Sequence, residues 1–317
     1  MAGPTDQQRS SPTGEGALRR EWRAMGTDVE VVVVGGTERM LDGAVARVED
    51  LEARWSRFRP DSELRRLHAH PGRPVVVSEE TFSLIERSID AWHSTGGAFD
   101  PTVHDAVRAA GYTDDFDHLV RTQPAGPAGR PAPGLGAVAL DRVVRTVALP
   151  EDVHLDLGGI GKGRAADLLA QELRAAGARG VCVSLGGDLR VDGEPPEGPA
   201  WVVAIEDVPT THIALRSGGV ATSSTRRRRW FQGGEPRHHL IDPRTGAPIE
   251  DAPAAVSVVA SDAATAEVLT KALMVLGPDA AGPLVTGLGA TGIVVAPDGT
   301  VRPLDGFGAF AVPVGSA

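Results

Sequence analysis

At 317 residues, with 41% hydrophobic and 23% charged side chains, the chain has the composition of an ordinary globular protein with a substantial core. Its net charge of −10 argues against a protein that binds nucleic acid with its whole surface, although a local basic patch is still compatible with it. The single cysteine, Cys182, excludes an internal disulfide and a zinc site built from cysteines.

The first twenty residues predict a disordered polar tail. Residues 1–20 are rich in Gly, Ser, Pro and Gln, and they contain neither the apolar run of a signal peptide nor a lipobox-like cysteine. No later stretch approaches the ~18 apolar residues of a membrane helix. We therefore expect a cytoplasmic protein without membrane insertion, in which residues 21–317 form one domain.

Strands and amphipathic helices are predicted in the first hundred residues. Residues 30–34 predict a strand, and apolar side chains recur at helical spacing over residues 38–53. Ser78 is suited to cap a second helix, because two glutamates follow it in the favoured first turn. That helix is expected to end near Gly96 and Gly97.

Residues 121–136 predict an exposed loop, because they are dominated by Pro, Gly and Ala. They are compatible with a linker between domains. We favour an insertion within one domain, since strand-like residues 137–140 and 143–149 follow at once and lead into the next motif.

A glycine-rich turn between a predicted strand, 153–157, and a predicted helix, 163–176, is the strongest local signal. Glycines let the backbone approach a ligand closely, and the first amides of a helix have no internal partner. With Lys162 adding a positive charge, the turn favours a bound phosphate. It matches neither the P-loop nor the Rossmann spacing. A tight strand-to-helix connection without a ligand is the open alternative.

The second half of the chain predicts further strands joined by turns. Those strands are expected at 181–185, 201–205, 213–215, 219–222, 256–259, 292–296 and 309–314. Four arginines at 226–229 indicate either a solvated face or a clamp on phosphate or an acidic partner. Asp262 is suited to cap a helix that runs to Leu276, where Gly277 and Pro278 end it.

Seven stretches, taken in order over about residues 22–277, carry a family resemblance. They are Met25-Gly26-Thr27, Ser62-Glu63-Leu64, Thr95-Gly-Gly-Ala-Phe-Asp-Pro-Thr102, Asp156 to Gly163, Gly186-Gly187-Asp188, Ala221-Thr222-Ser223 and His239-Leu-Ile-Asp-Pro-Arg-Thr-Gly246. Together they resemble the ApbE-type flavin transferases, the FAD:protein FMN transferases. The order of all seven is far more specific than any one of them.

The resemblance implies an α+β fold, with mixed sheets, packed helices and an FAD cleft between two lobes. It implies a transferase that cleaves FAD and attaches FMN through a phosphoester to a Thr or Ser of an acceptor flavoprotein, usually with Mg²⁺ on the pyrophosphate. Two alternatives stay open: a protein that binds FAD without transferring it, and an FAD pyrophosphatase that releases FMN and AMP.

The resemblance also assigns roles to residues. His239 matches the proposed base, and Asp242 would orient it or shape the turn. His238, beside it, shows that the register of this strand matters, because adjacent strand residues point to opposite faces. The residues expected to contact the flavin cofactor are Met25, Phe58, Asp100, Asp156, Gly158, Gly159, Ile160, Gly161, Lys162, Gly186, Gly187, Asp188, Ala221, Thr222 and Ser223.

The resemblance breaks at the metal site and at His68, where the family has asparagine. The family's metal ligands are an Asp and a Thr four residues apart on a helix, and Glu267 and Lys271 stand at those positions. An ammonium cannot ligate a hard cation. Gly161 and Thr270 complete the set of candidate metal residues, Thr270 as a substitute ligand. Without the resemblance, Glu267 and Lys271 predict a surface salt pair.

Overall fold

The computed structural model describes residues 9–12, 16–205, 207–208 and 211–313. Its α-helices are α1 (Glu38–Trp55), α2 (Glu63–His68), α3 (Glu79–Ser94), α4 (His104–Ala109), α5 (Gly161–Ala175) and α6 (Ala263–Gly287). Short 3₁₀ turns lie at Pro101–Val103, Leu157–Gly159 and Phe307–Ala309. The strands are β1 (Arg9–Pro12), β2 (Ala17–Ala24), β3 (Thr27–Val34), β4 (Val75–Val76), β5 (Thr122–Gln123), β6 (Ala139–Asp141), β7 (Thr146–Ala148), β8 (Gly180–Leu185), β9 (Asp188–Gly193), β10 (Trp201–Ala204), β11 (Thr211–Leu215), β12 (Gly218–Ser224), β13 (Arg229–Gln232), β14 (Glu235–His238), β15 (Ile241–Asp242), β16 (Ala247–Pro248), β17 (Ala255–Ala260), β18 (Thr291–Val295), β19 (Val301–Pro303) and β20 (Ala311–Pro313).

A nine-stranded antiparallel sheet forms the centre of the fold, in the order β1-β2-β3-β8-β9-β12-β17-β18-β19. Smaller sheets are β10-β11-β20, β4-β7-β6, β15-β16 and β14-β13-β5, and in the last of these β13 and β5 run parallel. Helices and mixed sheets in one chain confirm the α+β class.

Both faces of the central sheet are covered, and β3 shows why its sequence is a continuous valine run. Val31 and Val33 pack into the core that contains α1, α3 and α5. Val32 and Val34, which point to the opposite face, pack with Trp201, Ile213 and other residues of the small sheet β10-β11-β20. Successive side chains of a strand face opposite ways, so a strand buried on both faces needs apolar residues at every position.

The predicted helices are present with their predicted caps. Leu41, Ala44, Val48 and Leu51 form the buried face of α1. The Ser78 hydroxyl accepts a hydrogen bond from the Thr81 amide at the start of α3. The element α6 is two helices that meet at Gly277, whose φ of 76° is non-helical, so the predicted stop at Gly277 is correct and a second helix follows it.

We expected no stretch long and apolar enough for a membrane helix, and α6 differs from that expectation. By length and composition alone it is apolar enough to cross a membrane, and it is the one such helix within the described residues. A core helix of a soluble protein passes the same test. Here α6 packs on β12 and β17 and on α5.

Two of the predicted strands need correction. Residues 153–157 form no strand, because the Leu155 amide donates to the His68 ring and the Asp156 amide donates to the Pro101 carbonyl instead of joining a ladder. The strand expected at 309–314 begins only at Ala311, as β20, and it pairs with β11 and not with the central sheet.

The prediction of a disordered tail is wrong for residues 9–12 and 17–20. These residues lie in β1 and β2, which pair with each other. Its residues 1–8 and 13–15 lie outside the described residues. The expected loop at 121–136 contains β5 and is otherwise irregular.

Helices α5 and α6 approach each other at Gly163, which has no room for a side chain. A Cβ there would lie 2.4 Å from the Ala263 carbonyl oxygen and 2.7 Å from the Ala264 nitrogen. The Asp167 carboxylate of α5 accepts hydrogen bonds from the same two residues' amides, at 2.9 and 3.0 Å. The start of α6 is therefore fixed against the first turns of α5.

We expect Gly163→Ala to lower the free energy of unfolding by about 2 kcal/mol, because the new methyl group overlaps backbone atoms that the Asp167 bonds hold in place. Urea unfolding of the purified chain measures it. Gly43→Ala is the matched control. Gly43 is exposed in α1 with open space around it, so the alanine should raise stability by about 0.5–1 kcal/mol. Equal effects of the two substitutions would show that the helices do not depend on this approach.

Candidate active site

A cleft with a volume of about 460 Å³ opens at the glycine turn. Most of the predicted site residues line it: Met25, Phe58, Asp100, Asp156, Gly158, Gly159, Gly161, Lys162, Gly186, Asp188, Thr222, Ser223, His239 and Lys271. Six others lie behind its wall or beside it: Ile160, Gly187, Ala221, Asp242, Glu267 and Thr270. The motifs found separately in the sequence therefore converge on one place.

The glycine turn is held by carboxylates from both sides. The Asp156 carboxylate accepts a hydrogen bond of 2.9 Å from the Gly158 amide and so caps the 3₁₀ turn Leu157–Gly159. The Glu267 carboxylate, from α6, accepts one of 2.8 Å from the Gly163 amide in the first turn of α5. One of the helix-terminal amides predicted to bind an anion is therefore already bound by the protein.

Four charged side chains form a buried cluster beneath the turn. The Lys162 ammonium lies 2.7 Å from the Asp188 carboxylate and also pairs with Glu267. The Lys271 ammonium lies 3.4 Å from the same Glu267 oxygen. Two lysines and two acidic residues give the cluster no net charge. The Glu267 side chain is 0% exposed and that of Asp188 3%, so neither carboxylate has water to compensate it.

This cluster corrects two expectations. Lys162 is not a free positive charge on an anion site, because two carboxylates neutralise it. Glu267 and Lys271 are not a surface pair, because Glu267 is fully buried and its stronger contact is with Lys162. Sequence spacing on one helix revealed the i,i+4 neighbours, whereas the partners from α5 and β9 depend on the tertiary fold.

The pKa values within the cluster follow from burial and from the neighbouring charges. Burial alone would lower the pKa of Lys162, but the charges of Asp188 and Glu267 outweigh it and raise that pKa. Burial also lowers the pKa of Lys271, which has one close carboxylate and a second lysine nearby. Glu267 has its pKa lowered in spite of burial, because two ammonium groups face it. Lys162 and Glu267 are thus held in their charged forms.

The motif Gly186-Gly187-Asp188 is a hairpin that positions one carboxylate. Gly186 and Gly187 have φ values of 65° and 91° and join β8 to β9, as a tight hairpin turn requires. Asp188 then points at Lys162 and accepts a long hydrogen bond of 3.3 Å from the Thr222 amide. The glycines form the turn, and the Asp188 carboxylate lines the cleft and pairs with Lys162.

The hydroxyls of β12 are bonded inside the protein. The Ser223 hydroxyl lies 2.7 Å from that of Thr270, and the Thr222 hydroxyl lies 2.8 Å from that of Ser257. Asp100 is similarly engaged, because its carboxylate accepts hydrogen bonds from the Thr102 amide and hydroxyl and from the Trp92 indole. These residues shape the walls of the cleft.

His239 lines the cleft and has the protonation state of a base. Its Nδ1 atom is buried and has no hydrogen-bond partner among the described residues. Burial lowers the pKa of His239 well below its ordinary value, and Arg228 and other nearby cations lower it further. The imidazole is therefore neutral at pH 7 and able to accept a proton.

The neighbours of His239 have structural roles. His238 faces the other way, and its Nε2 donates to the Ile249 carbonyl at 3.3 Å. The Asp242 carboxylate accepts a pair of hydrogen bonds from the Arg244 guanidinium, at 2.7 and 3.0 Å. The Asp242 carbonyl accepts from the Thr245 and Gly246 amides. Asp242 therefore shapes the turn, which is one of the two roles expected for it.

Sequence reasoning missed an arginine and an aromatic ring in the wall of the cleft. The buried Arg57 guanidinium lies 3.1 Å from the Asp156 carboxylate and stacks over the rings of Phe58 and Tyr112, at 4.1 and 4.6 Å. Its Nη2 atom is buried without a partner in the described structure. Arg57 precedes Phe58 directly, but nothing in its local spacing distinguishes it from the arginines around it.

The run of four arginines divides between the two predicted roles. Arg227 and Arg228 line the cleft. Arg228 has a left-handed φ of 48°, and its guanidinium donates to the Gly26 carbonyl at 3.4 Å. Arg226 turns away and pairs with Asp207. Two of the four arginines thus lie in the wall of the cleft, and Arg226 does not.

The residues considered for Mg²⁺ do not fit a magnesium site. Hard cations take oxygen ligands, and here Lys271 puts an ammonium where one would stand. The Glu267 oxygens are occupied by Lys162, Lys271 and the Gly163 amide. The Thr270 hydroxyl, fully buried, donates to the Glu267 carbonyl and bonds to Ser223, and Gly161 offers only backbone.

Comparisons with known proteins all lead to one family. The model of the ApbE family matches residues 25–293. The FAD:protein FMN transferase of Haemophilus influenzae is 31% identical over 263 residues, which cover 78% of this chain and 76% of that protein. That of Klebsiella pneumoniae is 31% identical over 292 residues, or 87% and 83%. The crystal structure of the ApbE protein from Thermotoga maritima has a TM-score of 0.82 and 28% identity, over 96% of this chain and 99% of that one.

We expect Lys162→Met to lower the free energy of unfolding by about 3 kcal/mol, because it removes the main partner of two buried carboxylates. Lys271→Met is the matched control. Its ammonium makes one contact, at 3.4 Å, and Glu267 keeps Lys162, so the loss should be about 1 kcal/mol. Urea unfolding without added ligand compares the two. A larger loss for Lys271→Met would contradict the assignment of Lys162 as the centre of the cluster.

Proposed function

The chain belongs to the ApbE family, and we propose that it is an FAD:protein FMN transferase. It takes FAD as its substrate and attaches FMN to an acceptor flavoprotein. The observation that carries this proposal is the position of a neutral His239, whose buried Nδ1 atom has no partner among the described residues, in a cleft that cationic side chains and the glycine turn also line. A phosphoryl-type transfer to a hydroxyl needs both features: charge to neutralise the phosphates and a base for the nucleophile.

The proposed reaction is one displacement at the phosphorus atom of the FMN half. The oxygen of an acceptor Thr or Ser hydroxyl forms a bond to this phosphorus, and the bond from phosphorus to the bridging pyrophosphate oxygen breaks. AMP leaves with that oxygen. The hydroxyl proton goes to His239, whose lowered pKa keeps it unprotonated beforehand. The product is a phosphoester between FMN and the acceptor.

Lys162, Lys271 and Arg228 are the proposed partners of the pyrophosphate. All three line the cleft, whereas the Glu267 carboxylate lies behind it. Glu267 pairs with both lysines from within, and Asp188, which also lines the cleft, pairs with Lys162, so Lys271 and Arg228 carry most of the positive charge that a ligand meets. Met25, Phe58 and Tyr112 give the same cleft an apolar wall, suited to the flat isoalloxazine ring.

We also propose that Lys271 supplies part of the charge that Mg²⁺ would bring. An ammonium neutralises a phosphate oxygen as a point charge, although it fixes geometry less sharply than a metal or a planar guanidinium does. The support is the ligand set itself, in which Lys271 occupies a ligand position and the Glu267 oxygens are taken by the protein.

The transfer test uses purified chain, FAD and an acceptor domain that carries a Thr or Ser attachment site. We expect the acceptor to keep flavin fluorescence after denaturation on a gel. His239→Ala should reduce the rate by ~10²-fold or more with little change in FAD affinity, because a base acts in the transition state. His238→Ala is the matched control and should retain transfer, since His238 bonds to the Ile249 carbonyl instead.

Two results would replace the proposal with its alternatives. FAD binding by calorimetry with no flavin on the acceptor and no AMP would indicate a protein that only binds FAD. Release of FMN and AMP with no labelled acceptor would indicate a pyrophosphatase. Transfer at the wild-type rate in His239→Ala, together with loss in His238→Ala, would assign the base to the other histidine.

We expect FAD binding to depend only weakly on EDTA, because Lys162 and Lys271 remain when metals are removed. Lys271→Thr combined with Glu267→Asp should make transfer more dependent on added Mg²⁺, since it restores two oxygen ligands four residues apart. Magnesium titration of chelator-treated wild type and double variant measures this. The lysine-for-metal proposal fails if EDTA abolishes both binding and transfer in the wild type and Mg²⁺ restores them.

A further inference from the structure

Three histidines and an aspartate meet beside the cleft, outside the residues used for transfer. The rings of His68, His104 and His154 are mutual neighbours, with centroids 5.0, 5.2 and 5.7 Å apart. They come from three separate segments: α2, α4 and the irregular stretch before Asp156. Three imidazoles and a carboxylate in one place offer nitrogen and oxygen atoms to a metal ion.

Asp105 joins two of these histidines. Each of its carboxylate oxygens lies 2.9 Å from an Nδ1 atom, one of His104 and the other of His154. Ligand atoms of these three residues all lie within 4.8 Å of one another. Around a tetrahedral Zn²⁺ with bonds of ~2.0–2.1 Å, neighbouring ligand atoms are about 3.3–3.4 Å apart. Small side-chain movements would therefore bring all three onto one ion.

His68 holds this group in shape without being a ligand. Its Nε2 atom accepts a hydrogen bond of 2.9 Å from the Leu155 amide, so its proton lies on Nδ1, which is buried and unpartnered within the described residues. Burial first, and then the neighbouring histidines, lower the pKa of His68 to about 3. The ring stays neutral and packs edge-on against both His104 and His154.

We propose that His104, Asp105 and His154 form a binding site for Zn²⁺. Two imidazole nitrogens and a carboxylate oxygen are ligands that zinc accepts, whereas Mg²⁺ and Ca²⁺ favour oxygen alone. Entry is open, because Asp105 is 64% and His154 33% exposed. Three protein ligands leave the fourth position of a tetrahedral ion to water.

A bound ion would restrain the segment that leads into the glycine turn. His154 lies two residues before Asp156, which caps that turn and pairs with Arg57. An ion shared with α4 would fix this segment to the 3₁₀ turn Pro101–Val103, which α4 continues directly. The proposal does not depend on the proposed transfer, because its readout is metal content and stability.

The experiment uses the full chain with any affinity tag removed, stripped with a chelator and dialysed. Titration with Zn²⁺ alone, followed by calorimetry and by elemental analysis after gel filtration, should give one ion per chain and a higher melting temperature. His154→Ala and Asp105→Asn should each weaken binding at least tenfold. His118→Ala is the control, because His118 is exposed and outside the group, and it should bind as the wild type does.

Two outcomes would overturn the proposal: no zinc retained by the wild type, or equal binding by the wild type and both ligand variants. Far-ultraviolet circular dichroism of the variants checks their folding, and both changes are at partly exposed side chains. Replacement of Zn²⁺ by Co²⁺ gives a second measurement of binding that does not depend on protein stability. Visible absorption typical of a tetrahedral site should be present in the wild type and in His118→Ala and absent from Asp105→Asn.

Discussion

The active cleft depends on the pairing of two buried carboxylates with two lysines. Glu267 and Asp188 have almost no contact with water, and an isolated buried charge of this kind costs several kcal/mol. Each is tolerable only while Lys162, the main partner of both, stays in place. Because the four residues come from α5, α6 and β9, the charge pairing also fixes how these three elements meet.

The other contacts of the site depend on how α5, α6 and β9 meet. Gly163 lets α5 and α6 touch, and Asp167 holds the first amides of α6. Glu267 then reaches back to the Gly163 amide, at the start of α5. The glycine turn is thus held from α6 on one side and through Asp156 and Arg57 on the other. A ligand in the cleft meets a surface whose charges are positioned before it arrives.

The sequence predicted the parts of this fold whose cause is local. The apolar spacing of α1, the Ser78 cap of α3 and the stop at Gly277 each depend on neighbouring residues, and each is present. The strand expected at 153–157 is absent because its amides bond to His68 and Pro101, which are far away in the chain. The role of Arg57 could not be predicted for the same reason, because its partners Asp156 and Tyr112 are also distant in the chain. The motifs, taken in their order along the chain, identified residues of the cleft. The charged partners of those residues could be found only from the tertiary structure.

Glu267 and Lys271 balance each other's charge inside the buried cluster. A lysine alone at position 271 would add an unbalanced positive charge next to Lys162, in a place where burial already lowers the pKa of Lys271. A glutamate is longer than an aspartate by one methylene, and here it spans from α6 to both the Gly163 amide and the Lys162 ammonium. With its oxygens so engaged, the carboxylate has no free position for a metal, and Lys271 lines the cleft. The buried carboxylate of Glu267 and the two lysines that pair with it thus depend on one another.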